Sequence, residues 1–198
     1  MEKVAGHKAV IIDYGMGNLF SVKLACEKVG LEAVISNKPE DILVAAALIL
    51  PGVGAFGDAM ANLKKLGLIE PIKKCIDSGK PFLGVCLGMQ LLMTESEEFG
   101  KHKGLDIIKG KVKKFPAGID KVPQVGWNQI VPSGEYMYFV HSFYCVPEDK
   151  SIVLSQTNYA GLDYCSSLQK KNVFACQFHP EKSGKTGLTI YKNFANLR

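Results

Sequence analysis

A cysteine between two glycines is the residue in this sequence best placed for covalent chemistry. Cys86 lies in the stretch GVCLGMQ, where an apolar run from Phe82 to Val85 gives way to a helical pattern beginning near Leu87. A nucleophile at such a strand-turn-helix junction sits on a sharp turn, and the N-terminus of the following helix stabilises a thiolate. The flanking Gly84 and Gly88 let the backbone turn and approach another segment closely. The pattern predicts a nucleophilic thiol, although a lone cysteine is also common as a small buried hydrophobe.

A nucleophilic cysteine requires a base, and His179 is the best placed of the four histidines. It follows the apolar run VFACQF at the carboxyl end of a strand, where open α/β sheets build their sites. Glu181, two residues later, lies on the same side of an extended chain, so its carboxylate can orient the imidazole. We expect His7 and His102 at the surface, and His141 in the core or the wall of a site. The predicted catalytic residues are therefore the cysteine, this histidine and this glutamate.

A glycine-rich stretch, PGVGAFG, follows the apolar run ALIL. Gly52, Gly54 and Gly57 match the dinucleotide fingerprint G-x-G-x-x-G, which is a weak signal alone. The acidic residue at a suitable distance, Asp77, lies in a helical pattern and not at the end of a second strand, where a ribose-binding acid belongs. We therefore expect these glycines to bring backbone N–H groups close to a substrate, and we do not expect dinucleotide binding.

The elements that must position these residues alternate between strand and helix in the first half of the chain. Apolar runs at KAVIID, EAVIS, ALIL and PFLGV are separated by helical patterns at Leu19 to Val29, across Asp58 to Asp77 as two helices, and at LGMQLLM. This alternation predicts a parallel sheet with helices on both faces. From Leu105 onward the runs become β-like and predict hairpins or a second, mixed sheet, before a final helix from about Thr186 to Leu197.

Length and composition limit the possible classes of protein. The 198 residues fit a single domain, residues 1–198, and the 47% apolar and 22% charged residues are typical of globular proteins. No stretch reads as a signal peptide or a bilayer span, so we expect a cytoplasmic protein without a membrane partner. Six dispersed cysteines without a C-x-x-C pair argue against a disulfide framework and against a metal site. The net charge of +5 comes from scattered lysines, so we expect no nucleic-acid partner, and no motif indicates a cofactor.

Three motifs carry a resemblance to a known family. The stretches PGVGAFGDAM, GVCLGMQLL and QFHPEKSG, in this order and spacing, resemble the class I (triad) glutamine amidotransferases. The stretches IDYGMGNL, GWN and YFVHSFY narrow the resemblance to the glutaminase subunits of imidazole glycerol phosphate synthases. The resemblance covers nearly the whole chain. It implies a three-layer, flavodoxin-like α/β fold with a mostly parallel central sheet, helices on both faces and a smaller mixed β region.

The resemblance also implies a reaction and the residues that perform it. Cys86 would attack the side-chain carboxamide of glutamine, and water would hydrolyse the resulting thioester to glutamate. His179, oriented by Glu181, would protonate the departing ammonia, while backbone N–H groups near Val53 and Leu87 would hold the oxyanion. The residues that would bind the glutamine are Gly52, Gly54, Gln90, Glu98, Ser142 and Phe143.

A partner subunit is the last implication of the resemblance. The ammonia would pass through an internal channel to a (β/α)8-barrel cyclase or synthase subunit, in a heterodimer that serves histidine biosynthesis. The residues expected to face this subunit are Asn18, Trp127, Asn128, Tyr138 and Lys182.

Two stretches depart from the usual family pattern and leave alternatives open. The chain reads PQVGWN where PHMGWN is usual, and HSFY where tyrosine or threonine is common after the histidine. One alternative is a paralogue that feeds ammonia to another synthase, such as an enzyme that amidinates a surface sugar. Others are a cysteine hydrolase acting on an ester or peptide, and a non-enzymatic flavodoxin-like binding module in which Cys86 is structural.

Overall fold

Strands and helices alternate through the first half of the computed structural model, which describes residues 8–119 and 121–197 and so leaves His7 outside the described residues. This half contains β1 Ala9–Ile12, α1 Leu19–Lys28, β2 Ala33–Ser36, α2 Pro39–Val44, β3 Ala47–Leu50, α3 Phe56–Lys65, α4 Ile69–Asp77, β4 Phe82–Val85 and α5 Leu87–Leu91. The second half contains β5 Met93–Ser96, β6 His102–Lys103, β7 Ile108–Lys114, β8 Gln124–Gln129, β9 Tyr136–His141, β10 Phe143–Pro147, β11 Val153–Tyr159, β12 Leu162–Lys170, β13 Val173–Cys176 and α6 Gly184–Ala195.

An eleven-stranded sheet forms the centre of the molecule. Its strand order is β2-β1-β3-β4-β13-β12-β10-β7-β5-β6, with β11 paired to β12. Neighbours from β2 to β13 are parallel, whereas the pairs from β13 to β12 and onward are antiparallel except for β5 with β7. The predicted α/β fold with a parallel sheet at its centre is confirmed.

Helices cover both faces of this sheet, because alternate residues of its strands belong to different cores. In β1, Val10 and Ile12 belong to one hydrophobic cluster, whereas Ala9 and Ile11 belong to the other. Every residue of β1, β3 and β4 is buried, as expected for strands covered on two sides. Among the described residues, no helix is both long and apolar enough to cross a bilayer.

The predicted second sheet is smaller than expected. Most of the later β runs extend the main sheet, and among the described residues only β8 and β9 form a separate antiparallel pair. The run YMYFVHSFYCV is split at Ser142, so β9 belongs to the small sheet and β10 to the large one. Burial alternates without interruption across the break, which is why the sequence pattern resembles one strand; the buried residues are Met137, Phe139, His141, Phe143 and Cys145.

Several elements differ from the sequence-based prediction. The helix after Cys86 ends at Leu91, because Met93 already begins β5, and all five of its residues are buried. A fully buried apolar stretch has no exposed face whose period separates helix from strand. The elements α2, β5, β6 and β12 were not predicted. In β12 the buried positions include Cys165, Ser166 and Ser167, and the strand has none of the β-branched apolar residues that mark a strand in sequence.

Candidate active site

Cys86 occupies the turn between β4 and α5 with a strained backbone. Its φ is 55° and its ψ is −109°, a region that residues with a side chain rarely adopt. The turn is possible because α5 begins very close to β3: a methyl group on Gly88 would collide with the Leu50 carbonyl. The predicted strand-turn-helix junction with a close backbone approach is therefore confirmed, and it places the thiol at the carboxyl end of the parallel sheet.

His179 and Glu181 reach the cysteine because β13 lies directly beside β4. Cys176 pairs with Val85 in register, and the Cys86 N–H donates to the Cys176 carbonyl over 2.8 Å. The chain that continues from β13 therefore passes next to the nucleophile. His179 Nδ1 lies 2.8 Å from Glu181 Oε1, as predicted, although residues Pro180–Lys182 form a 3-10 turn and not the extended chain that the sequence suggested.

The environment of His179 favours its protonated form. Its side chain and that of Glu181 are 3% and 2% exposed. Burial lowers the pKa of His179. The neighbouring Cys86 sulfur and the Glu181 carboxylate together raise it by more than burial lowers it, so that the pKa is about 10. The second ring nitrogen, Nε2, is buried and forms no hydrogen bond of standard geometry within the described residues, although it lies near the Cys86 sulfur. With the pKa raised in this way, we expect this nitrogen to carry a proton at neutral pH.

A cavity of about 240 Å³ opens beside Cys86, a volume that suits a small metabolite. Eight of the predicted catalytic, oxyanion and glutamine-binding residues line it: Val53, Gly54, Cys86, Leu87, Gln90, Glu98, Ser142 and Phe143. Pro123, Val140 and His141 complete the wall. The structure thus brings together residues that are dispersed over almost a hundred positions of the chain.

The predicted oxyanion residues lie on two backbone segments beside the thiol. Leu87 begins α5, where the first N–H groups have no intrahelical acceptor. Val53 belongs to the segment 51–54, which Tyr14 fixes by donating its hydroxyl proton to the Pro51 carbonyl over 2.8 Å. The same hydroxyl occupies the space that a methyl group on Gly52 would need. Tyr14 was not among the predicted site residues.

The predicted glutamine-binding side chains are held by specific contacts. Gln90 Nε2 donates to the Phe143 carbonyl over 2.9 Å, so the helix after the nucleophile is tied to the segment between β9 and β10. Glu98 Oε2 accepts from the Phe56 N–H over 2.6 Å, at the start of α3. Ser142 and Phe143 lie where the chain leaves the small sheet for the large one.

Two further polar residues belong to the site. His141, expected in the core or a site wall, lines the cavity, and its Nδ1 lies 2.8 Å from the Phe143 carbonyl. Burial lowers the pKa of His141 to about 4, despite this hydrogen bond. Gln177 was missed: it is fully buried, and its Nε2 lies 3.6 Å from the Cys86 sulfur. Its position directly before Phe178 and His179 at the end of β13 was the available signal.

The residues predicted to face a partner divide into two groups. Trp127, Tyr138 and Lys182 cluster: the two rings meet edge to face at 6.2 Å, and the lysine Nζ lies 5.9 Å from the tyrosine ring centre. Asn18 caps α1 by accepting from the Ser21 N–H, and the Asn128 amide donates to the Asn158 carbonyl.

The departure at Gln124 from the usual family pattern lies inside the molecule. Gln124 is buried, and its Oε1 accepts from the Tyr164 hydroxyl over 2.9 Å. The neighbouring Val125 is exposed. The glutamine therefore changes the interior behind the small sheet, and only the valine changes the surface.

Of the other histidines, His102 was expected at the surface but is half-buried beside Gly57.

Known proteins share both the sequence and the fold of this chain. It is 51% identical over 205 residues to the imidazole glycerol phosphate synthase subunit HisH of Syntrophotalea carbinolica, covering 95% of this chain and 99% of that protein. It is also 51% identical over 199 residues to the subunit of the same name from Aquifex aeolicus, covering 94% of this chain and 95% of that one.

Solved structures agree on the fold. The structure of PurLQS from Thermotoga maritima superposes with a TM-score of 0.74 at 20% identity, covering 96% of this chain and 98% of that one. A crystal structure of a glutamine amidotransferase gives a TM-score of 0.76 at 19% identity, covering 94% of this chain and 98% of that one. The family described as glutamine amidotransferase class-I matches residues 10–197. With the cysteine, histidine and glutamate assembled at the end of its parallel sheet, the chain belongs to the class-I glutamine amidotransferases.

Proposed function

We propose that this protein is the glutaminase subunit of an imidazole glycerol phosphate synthase and that it hydrolyses glutamine to supply ammonia to a second subunit. One observation carries the reaction: a strained cysteine adjoins a buried histidine-glutamate pair at the edge of a cavity that suits a single amino acid. The names of the relatives support the pathway, because proteins that are about half identical over nearly their full length are subunits of this synthase.

The first half of the reaction forms a thioester. The Cys86 thiolate attacks the carboxamide carbon of glutamine, and the carbonyl oxygen becomes an oxyanion. We propose that backbone N–H groups at Leu87 and near Val53 donate hydrogen bonds to this oxyanion. Protonated His179 then donates its Nε2 proton to the amide nitrogen, the C–N bond breaks, and ammonia leaves. The raised pKa of His179 suits this role, because the imidazolium is present at neutral pH before the attack.

The second half restores the enzyme. His179, now neutral, takes a proton from water, and the resulting hydroxide adds to the thioester carbonyl. The tetrahedral intermediate collapses with release of the Cys86 thiolate, and glutamate dissociates after its new carboxyl group loses a proton to solvent. Glu181 holds the ring through its 2.8 Å contact with Nδ1, so the same nitrogen faces the substrate in both halves.

The polar groups of the cavity support an α-amino acid as substrate. Glu98 contributes a carboxylate, which suits the ammonium group of glutamine. Gln90 uses its amide nitrogen within the protein, so its remaining polar atom is Oε1, an acceptor for a substrate N–H. We propose that Gly52, Gly54, Ser142 and Phe143 complete the glutamine site with backbone groups.

A surface cluster next to the catalytic loop supports a protein partner. Trp127 is 56% exposed and adjoins Tyr138, and the Tyr138 ring in turn lies beneath the ammonium group of Lys182, the residue after Glu181. Exposed tryptophan and tyrosine are enriched at protein interfaces. We propose that a (β/α)8-barrel cyclase subunit covers this face, with Asn18 and Asn128 at its margin, and receives the ammonia there. A nucleophilic thiol functions in a reducing compartment, so we place the complex in the cytoplasm.

The replacement Cys86→Ala tests the proposed function. We expect the variant to release no glutamate above the uncatalysed rate, because the thioester cannot form, while its fold and its association with a barrel subunit are retained. Glutamate release should be measured for both proteins, each alone and with barrel synthase subunits from the histidine pathway. Undiminished hydrolysis by the variant would contradict the proposal.

Two measurements separate the alternatives. A glutamine-analogue affinity label should modify wild-type protein selectively at Cys86, whereas a hydrolase for esters or peptides should not be labelled selectively. Native mass spectrometry with candidate synthases should show a one-to-one complex with the histidine-pathway barrel. A complex formed only with a sugar-amidinating enzyme would instead indicate the paralogue.

A further inference from the structure

A buried amide lies against the nucleophile and has no role in the reaction described above. Gln177 follows β13, has no exposed surface, and places its Nε2 3.6 Å from the Cys86 sulfur. Its Oε1 accepts from Gln90 Nε2 over 3.1 Å. Gln177 therefore connects the reacting sulfur to a side chain of the glutamine cavity.

The orientation of this amide follows from its neighbours. The Phe143 carbonyl can only accept hydrogen bonds, so the Gln90 atom that lies 2.9 Å from it must be the nitrogen. That nitrogen also faces Gln177, so the Gln177 atom opposite it must be the oxygen. The remaining amide atom of Gln177, which faces the Cys86 sulfur, must then be the nitrogen, and it can only donate.

A hydrogen bond donated to sulfur acts differently on the two protonation states. A thiolate is a charged acceptor, whereas a thiol is a weak one, so a fixed N–H beside the sulfur favours the thiolate. The Gln177 amide cannot turn away, because its oxygen is held by Gln90 and the side chain is fully buried. The protonated ring of His179 lies near the same sulfur and also favours the thiolate, although its Nε2 forms no hydrogen bond of standard geometry with it.

We infer that Gln177 is a catalytic residue that stabilises the Cys86 thiolate by donating its amide N–H to the sulfur. The bond acts before attack and again when the thiolate is expelled from the tetrahedral intermediate of thioester hydrolysis, since a thioester sulfur is a poor acceptor. For its part in catalysis this inference rests on the proposed glutaminase function. Its test does not, because alkylation of the sulfur needs neither glutamine nor a partner.

The test compares two replacements by the pH dependence of iodoacetamide alkylation on the full chain, with Cys86→Ala as the background. Gln177→Met removes the donor, and we expect about tenfold slower alkylation at pH 7 and a midpoint about one pH unit higher. Gln177→Glu keeps the shape and the acceptor for Gln90 but places a second negative charge beside the sulfur. We expect its midpoint to move further upward than that of Gln177→Met.

The control for these replacements is a glutamine that lies far from the sulfur. Gln169→Met makes the same change at an exposed glutamine of β12, and its alkylation profile should match that of the wild type. Should Gln177→Met fail to fold, Gln177→Leu takes its place, because it also removes the donor without adding a charge. An alkylation profile of the folded, uncharged variant that coincides with the wild-type profile would overturn the inference. If both profiles shift but wild-type protein with its partner releases no glutamate, only the proposed function fails.

Discussion

Two buried histidines close to the nucleophile have opposite protonation preferences. His179 faces the Glu181 carboxylate and the Cys86 sulfur, and its pKa rises to about 10. His141 faces the Phe143 carbonyl and the Tyr164 hydroxyl, neither of which compensates for burial of a charge, and its pKa falls to about 4. His179 is therefore suited to donate a proton at neutral pH, whereas His141 is uncharged at that pH and forms part of the cavity wall.

The depressed pKa of His141 predicts loss of stability in acid. Between pH 6.5 and pH 4 the unfolded chain binds a proton at His141 that the folded protein does not, so the unfolded state gains stability as pH falls. We expect this residue to lower the free energy of unfolding by about 3 kcal/mol across that window. Urea denaturation at several pH values measures the slope.

The matched variant for this prediction is His141→Asn. Its amide can replace the Nδ1 donor to the Phe143 carbonyl but does not titrate. We expect a flatter dependence of stability on pH between 4 and 6.5 than in the wild type. Equal slopes for the two proteins would show that His141 does not control the acid response.

At the level of elements, the small β8-β9 sheet is fastened to the catalytic loop. The His179 N–H donates to the Tyr138 carbonyl over 2.9 Å, and the Tyr138 N–H donates to Ser183 Oγ over 2.9 Å. Ser183 Oγ in turn donates to the His179 carbonyl over 2.7 Å. These three bonds fix the backbone of the histidine to strand β9, which carries part of the proposed partner surface.

Removal of the serine hydroxyl should loosen this connection. In Ser183→Ala the buried Tyr138 N–H and His179 carbonyl each lose a partner, so we expect the free energy of unfolding to fall by about 1–3 kcal/mol. The rate of glutamate release should also fall, because the ring of His179 loses part of its support. Ser133→Ala, which changes an exposed serine in a turn, serves as control and should alter neither quantity measurably.

The sequence predicted the elements that position the nucleophile better than those that enclose it. Cys86 directly follows the apolar strand β4, and His179 lies three residues after the apolar strand β13; such short apolar runs mark central parallel strands by composition alone. The break at Ser142 was not predictable in this way, because the alternation of buried residues continues through it. The sequence did not predict Gln177 and Tyr14 as site residues, because their contacts with the site are made to residues that are distant in the chain.

At the scale of the whole molecule, the catalytic edge of the sheet and the exposed aromatic cluster are neighbours. His179, Glu181 and Lys182 belong to one short segment, in which His179 lies near the Cys86 sulfur and Lys182 lies over the Tyr138 ring. A subunit that binds Trp127 and Tyr138 would therefore cover the catalytic loop itself. This arrangement places the release of ammonia next to the surface where we propose that the partner docks.

The aromatic cluster should supply much of the binding energy for that partner. We expect Trp127→Ala to weaken association with the barrel subunit by about 2 kcal/mol, or about thirtyfold in Kd. Isothermal titration calorimetry measures this affinity. Leu43→Ala, at a 43% exposed leucine on α2, is the control and should bind like the wild type. Equal affinities of the two variants would exclude the cluster as the docking surface.

The contact of Glu98 with the first N–H of α3 has a consequence for ligand binding. One carboxylate serves both the start of a helix and the wall of the cavity, so an ammonium group that binds there also neutralises the charge that the helix terminus attracts. We therefore expect binding of an ammonium group in the cavity to change the stability of α3. Deleting the side chain abolishes both roles, whereas Glu98→Gln retains an oxygen for the helix and removes only the charge.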